Sequence, residues 1–95
     1  MKVYLTRRAE QNYNSIKEYI ALEWGEKTAE EFAQKADKLF QLLEDFPEMG
    51  PIEKEKIRGF QLSRQTRMLY RIRGNKIIVL SFFDVRQDPK KKFGP

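Results

Sequence analysis

The spacing of apolar residues changes once along this chain, from a helical repeat before Pro47 to strict alternation after Ile57. Apolar residues three or four apart form one stripe of a helix, whereas alternation places them on one face of a strand. The sequence therefore predicts a helical part followed by a sheet. Its 95 residues fit one compact domain and leave no room for a second hydrophobic core. We expect a single domain over residues 1–95.

The first half predicts a short strand over residues 2–6 and then two helices. Thr6 can cap the first helix, because its hydroxyl can accept from a first-turn amide. Gly25 ends that helix, since Gly tolerates the left-handed conformation found at helix ends. A second helix over about residues 26–45 stops before Pro47, because a residue that precedes Pro avoids the helical region. Two helices joined by so short a turn form a helical hairpin.

The second half predicts strands over residues 57–63, 67–73 and 76–84, with Gly74-Asn75 as a two-residue hairpin turn between the last two. Alternation assigns the side chains of the middle strand to two faces. One face holds Met68, Tyr70 and Ile72, and the other holds Arg67, Leu69, Arg71 and Arg73.

These elements predict an α+β fold of order β-α-α-β-β-β, an antiparallel sheet packed on one face by the helical hairpin. We expect Trp24 and Phe32 in the core of the hairpin, because both are large and apolar. The other face of the sheet is then free to carry Arg67 and Arg71.

The chain contains neither Cys nor His. This excludes disulfides, Cys/His zinc sites and every nucleophile–histidine pair. Proton transfer would have to use carboxylates, Lys, Tyr, Arg or water. A carboxylate-only cation site would need an acidic cluster that the sequence lacks, so we expect no metal and no cofactor. No apolar run approaches the length that spans a bilayer, so we expect no membrane partner and a cytoplasmic location.

Positive charge is concentrated in the second half. Of the net charge of +5, residues 1–50 contribute −3 and residues 51–95 contribute +8. Because the basic residues lie in strand-like sequence, we expect a surface for a polyanion or an acidic protein segment. The simpler alternative is that these Lys and Arg residues only keep the surface soluble.

Five stretches, in order, are similar to the RelE/ParE superfamily of toxins from bacterial type II toxin–antitoxin pairs. The most specific is an Arg-apolar-apolar-Tyr-Arg strand followed by a strand that ends near an Arg. The stretches are residues 9–20, 46–50, 57–60, 66–72 and 77–89. The resemblance extends over nearly the whole chain, from residue 9 to residue 89.

The resemblance implies one of two activities. RelE-like members cleave mRNA in the ribosomal A site, and ParE-like members inhibit DNA gyrase without nuclease activity. Both are neutralised by a cognate antitoxin, whose acidic segment wraps the toxin. We predict ribosome-dependent mRNA cleavage, with gyrase inhibition as the alternative. A domain of this fold that has lost toxicity is a third possibility.

For RNA cleavage, the resemblance implies Arg67, Arg86, Lys54 and Lys56 as catalytic residues. It implies Arg58, Arg71 and Phe93 as substrate-binding residues. A guanidinium can hold two phosphoryl oxygens, and a Lys crowded by Arg can lose its proton. Phe93 replaces a Tyr of the well-equipped members, so it can stack on a base but cannot transfer a proton.

Each of these residues also has a simpler role. Arg67 and Arg71 can pair with antitoxin carboxylates, and Arg86 can bond loop carbonyls. Lys54 and Lys56 alternate with Glu53 and Glu55, which is typical of a solvated stretch of ion pairs.

Overall fold

The computed structural model describes residues 1–85. Two long helices follow a short first strand, and four strands complete the described chain. The elements are β1 (Lys2–Leu5), α1 (Arg7–Trp24), α2 (Glu26–Asp45), β2 (Ile52–Lys54), β3 (Ile57–Gln61), β4 (Thr66–Arg73) and β5 (Lys76–Asp84). None of the described helices is long and apolar enough to cross a membrane.

The strands form one sheet in the order β1-β5-β4-β3-β2. Neighbouring strands are antiparallel except β1 and β5, which pair in parallel with Lys2 opposite Lys76. The predicted α+β architecture is confirmed. The sheet has one strand more than the sequence predicted, since the three residues of β2 form a separate edge strand.

Thr6 joins the helical and sheet layers. Its hydroxyl accepts the Ala9 amide at 3.0 Å, which makes it the N-cap of α1 as predicted. The same hydroxyl donates to the Leu80 carbonyl at 3.1 Å. Leu80 is the extra residue of a β-bulge, because Leu69 pairs with Ser81 whereas Tyr70 pairs with Val79. One side chain therefore satisfies a helix end and a carbonyl at an irregularity of the central strand.

Gly25 separates α1 from α2, and its φ is +96°, a backbone conformation that residues other than Gly rarely adopt. The hairpin turn therefore falls where the sequence predicted it. The core between the hairpin and the sheet combines helix residues with the predicted inner face of β4. Its buried members are Ala9, Phe32, Ala36, Leu39, Leu43, Leu62, Met68, Tyr70, Ile77, Val79 and Phe82.

Phe32 is 6% exposed, as expected, but the prediction that Trp24 lies in the hairpin core is wrong, because it is 56% exposed. Trp24 continues the stripe of Ile16 and Ile20 into the last turn of α1. There the stripe lines an open groove, and the indole packs edge-on against the half-exposed Tyr19 ring at 5.9 Å.

Candidate functional site

Arg67, Leu69, Arg71 and Arg73 lie on the sheet face opposite the hairpin, which we call the open face. The alternation of β4 causes this, because Met68 and Tyr70 point into the helix-side core with no exposed surface. Cross-strand pairing places Gln61 and Phe83 beside Arg67 and Ile78 beside Arg71. The arginines of β4 are therefore aligned on one surface, as the sequence predicted.

Arg67 forms an ion pair with Glu53, in which Nη2 contacts Oε2. Its Nη1 also donates to Gln61 Oε1 at 3.1 Å. The two charged side chains are only 25% and 17% exposed. The pairing of β2, β3 and β4 brings Glu53 to Arg67 across fourteen residues of sequence.

Gly59 provides the space for this ion pair. Its backbone lies directly beneath the Glu53 carboxylate, and a Cβ at this position would collide with both Glu53 and Arg67. The carboxylate therefore rests on the sheet where any other residue would project a side chain. Sequence analysis did not connect Glu53 or Gly59 with Arg67, because nothing local in the sequence relates them.

The Glu53 carboxylate neutralises the guanidinium expected to hold phosphate. The Nε atoms of Arg67 and Arg71 are nevertheless buried without a hydrogen-bond partner. Two unpaired N–H donors therefore lie on the open face, although Glu53 neutralises the charge of Arg67.

Arg58 lies on the helix side of the sheet, opposite Tyr70. Its Nη1 donates to the Glu48 carbonyl at 3.1 Å and to the Gly50 carbonyl at 2.8 Å. These bonds hold the segment that follows α2 against β3. The structure therefore gives Arg58 a structural role and separates it from Arg67 and Arg71.

Lys54 and Lys56 are exposed at the connection between β2 and β3, where Glu55 adopts φ +53°. They lie on the edge hairpin that also carries Glu53. Arg86 and Phe93 lie outside the described residues, so the predicted set of four catalytic residues is described only for Arg67, Lys54 and Lys56.

Tyr70 has a structural role. Its hydroxyl donates to the Pro47 carbonyl at 2.8 Å and accepts the Gly50 amide at 2.9 Å. Burial raises the pKa of the phenol above its ordinary value near 10, so the group keeps its proton at neutral pH. With no His in the chain and this phenol on the helix side of the sheet, the described part of the open face has few candidates for proton transfer.

A second concave surface lies at the end of the hairpin. This groove, of about 570 Å³, runs between α1 and the loop that joins β3 and β4. Ile16, Ile20 and Trp24 give it an apolar floor, and Lys35 and Arg64 also line it. Sequence analysis missed the groove because it assigned Trp24 to the core.

Comparison with known proteins identifies a family. Residues 3–89 match the family model described as the ParE toxin of the type II toxin–antitoxin system parDE. A search of curated proteins by sequence gave no significant match.

Three solved structures have a similar fold. The chromosomal ParDE toxin–antitoxin system from P. aeruginosa is 22% identical, with a TM-score of 0.77 over 90% of this chain and 97% of that chain. The YoeB/ParE toxin from Agrobacterium tumefaciens is 16% identical, with a TM-score of 0.65 over 88% and 98%. The YoeB dimer from Staphylococcus aureus is 15% identical, with a TM-score of 0.61 over 92% and 98%. At these identities the likeness concerns the fold alone.

Proposed function

The chain belongs to the ParE toxin family of type II toxin–antitoxin systems, and from this premise we propose that it inhibits DNA gyrase by binding it and does not cleave RNA. The observation that carries this proposal is the ion pair between Arg67 and Glu53. A guanidinium already neutralised by a carboxylate is poorly prepared to stabilise a pentavalent phosphate, because the added negative charge meets the carboxylate as well.

Proton transfer supports the same choice. Cleavage of a phosphodiester by the neighbouring 2′-hydroxyl needs a base for that hydroxyl and an acid for the leaving oxygen. The chain has no His, and the Tyr70 phenol holds the segment after α2 through two hydrogen bonds. Inhibition by binding needs neither an acid nor a base.

Ribosome-dependent mRNA cleavage is the second candidate, and one observation favours it. The unpartnered Nε donors of Arg67 and Arg71 lie on the same sheet face, and they could bond phosphoryl oxygens once the groups that bury them moved aside. In that case Glu53 would have to release Arg67 when RNA binds. Lys54, Lys56 and Arg86 would then supply the remaining charge.

Two assays on the purified protein separate these functions. We expect inhibition of gyrase-catalysed supercoiling and no A-site cuts in toeprinting of translating ribosomes. A-site cuts that disappear in Arg67→Ala but persist in Lys27→Ala, an exposed α2 control, would replace the first proposal with the second. Unchanged supercoiling together with intact mRNA would refute both activities.

Family membership implies an antitoxin partner. We propose that the antitoxin inserts apolar side chains into the groove at the end of the hairpin and aligns acidic side chains with its rim. Trp24 and Tyr19 are about half exposed there, and large exposed aromatic groups typically mark interfaces. Lys35 and Arg64 complement an acidic segment.

Trp24 is the one Trp in the sequence, so its fluorescence reports directly on this groove. An antitoxin without Trp should shift the emission to shorter wavelength, and Trp24→Ser should weaken binding at least tenfold, as for an interface hot spot. Leu22→Ser is the matched control, because Leu22 is 86% exposed and does not line the groove. Tight binding without an emission shift would place the antitoxin elsewhere.

A further inference from the structure

Three basic residues lie side by side across three neighbouring strands of the open face. Lys2 of β1 is directly opposite Lys76 of β5, and Lys76 is directly opposite Arg73 of β4. All three side chains are exposed. They form what we call the basic row, at the end of the sheet that carries the Gly74-Asn75 turn.

This arrangement costs stability, because like charges directly opposite each other on adjacent strands repel. Among the described residues, none of the three forms an ion pair, and no carboxylate lines the shallow depression that surrounds them. Lys76 has a different neighbour, since its ammonium lies 5.4 Å from the centre of the Tyr4 ring. The basic row therefore carries three positive charges that the described fold leaves uncompensated.

The basic row is separate from the Arg67 site. Arg67 and Arg73 lie near opposite ends of β4, and six residues of strand span about 20 Å. The Arg67 charge is paired with Glu53, whereas the charges of the basic row are available to an anion.

We propose that the basic row binds the phosphodiester backbone of duplex DNA. Strands about 4.8 Å apart give the row a width of roughly 10 Å, and duplex DNA carries one negative charge per roughly 1.7 Å of its axis. The flexible Lys and Arg side chains can each reach a different phosphate. This contact goes beyond gyrase inhibition, because an inhibitor of gyrase needs to bind only the protein.

The surroundings of the basic row favour a duplex over a single strand. Binding of single strands uses aromatic rings as stacking platforms, but the Tyr4 ring already contacts the Lys76 ammonium. The depression around the basic row combines three cations with the apolar surfaces of Met1, Tyr4 and Ile78, and the row of charges suits the dense and regular charge of a duplex backbone.

The test measures binding of a fluorescent 20-base-pair duplex by anisotropy as a function of salt, with no gyrase present. We compare the unmodified protein with the double variant R73Q/K76Q and with K27Q/K38Q, a matched control on α2 whose two lysines are also exposed. R73Q/K76Q loses two phosphate contacts, so the plot of the logarithm of its association constant against the logarithm of the salt concentration should be less steep by about 1.8. The same change corresponds to roughly 60-fold weaker binding at 0.1 M salt.

R73Q/K76Q should also melt close to the unmodified protein, because the repulsion that it removes offsets the lost contact between Lys76 and the Tyr4 ring. Equal affinity of R73Q/K76Q and K27Q/K38Q for the duplex would overturn the proposal. The proposal would also be overturned if polyglutamate, at the same concentration of negative charges, competed as well as unlabelled duplex. A single strand of the same length that bound more tightly than the duplex would overturn it too. A negative result with intact gyrase inhibition would remove this inference alone, since the binding assay contains only DNA.

Discussion

Replacing Tyr70 by Phe removes one oxygen atom and with it two hydrogen bonds that hold the segment after α2. The hydroxyl donates to the Pro47 carbonyl at 2.8 Å and accepts the Gly50 amide at 2.9 Å. Gly50 is buried, so its N–H would lose its partner out of reach of water, whereas the half-buried Pro47 carbonyl can regain a water. A buried group left unpaired costs about 1–3 kcal/mol. We therefore expect Tyr70→Phe to lower the free energy of unfolding by about 2–3 kcal/mol.

Equilibrium unfolding in urea at neutral pH measures this difference. For a domain of this size, the expected change corresponds to a fall in melting temperature of roughly 10–20 °C. Tyr4→Phe is the control, because Tyr4 is 45% exposed at the sheet edge, and it should stay within about 0.5 kcal/mol of the unmodified protein. A loss below 1 kcal/mol in Tyr70→Phe would show that the two bonds do not hold the segment, and the reasoning would fail.

The same phenol predicts a pH dependence. Burial raises the pKa of Tyr70 in the folded protein, so folding favours the neutral form. The associated stability is complete below the unfolded pKa, near 10, and is lost as pH rises through the folded pKa. Above pH 10, the free energy of unfolding should therefore fall more steeply in the unmodified protein than in Tyr70→Phe. Equal slopes would contradict a phenol that is kept neutral by burial.

Three further substitutions test the contacts that shape the open face and its supports. Gly50→Ala should lower the free energy of unfolding by about 1–3 kcal/mol, because the new Cβ would lie 2.8 Å from the Gly59 carbonyl oxygen. An unchanged urea midpoint would refute this. Glu53→Gln should lower the free energy of unfolding by about 1 kcal/mol after allowing for solvent screening. It should also make that free energy less sensitive to NaCl, and an equal salt dependence would argue against the ion pair with Arg67. Thr6→Ala should lower the free energy of unfolding by about 1–2 kcal/mol, because it removes the N-cap of α1. A melting temperature like that of the unmodified protein would show that the cap is dispensable.

Local chemistry made much of the fold predictable. Thr6 and Gly25 mark helix ends through effects that operate within a few residues, so their roles could be identified from sequence. The Gly74-Asn75 turn is also where it was predicted, between β4 and β5. The faces of β4 followed from alternation, which needs no knowledge of the other strands.

Long-range geometry was not predictable in the same way. The strand β2 has only three residues, of which Ile52 alone is apolar, so it gave no apolar pattern to detect. The exposure of Trp24 depends on how far the sheet extends under α1, and helical spacing carries no information about that. Strand register brings Glu53 to Arg67, and a missing side chain at Gly59 admits it. The sequence therefore predicted which side chains share the open face but not that one of its arginines is already neutralised.

The central position of β5 has a consequence for synthesis of the protein. This strand, the last of the described elements, lies between β1 and β4. Lys2 therefore pairs with Lys76, which is synthesised seventy-four positions later. Contacts so distant in sequence slow folding, because a long loop must close before they form. During translation the nascent amino-terminal strand has no sheet partner until β5 leaves the ribosome. The complete sheet of this toxin therefore forms only after β5 has emerged from the ribosome.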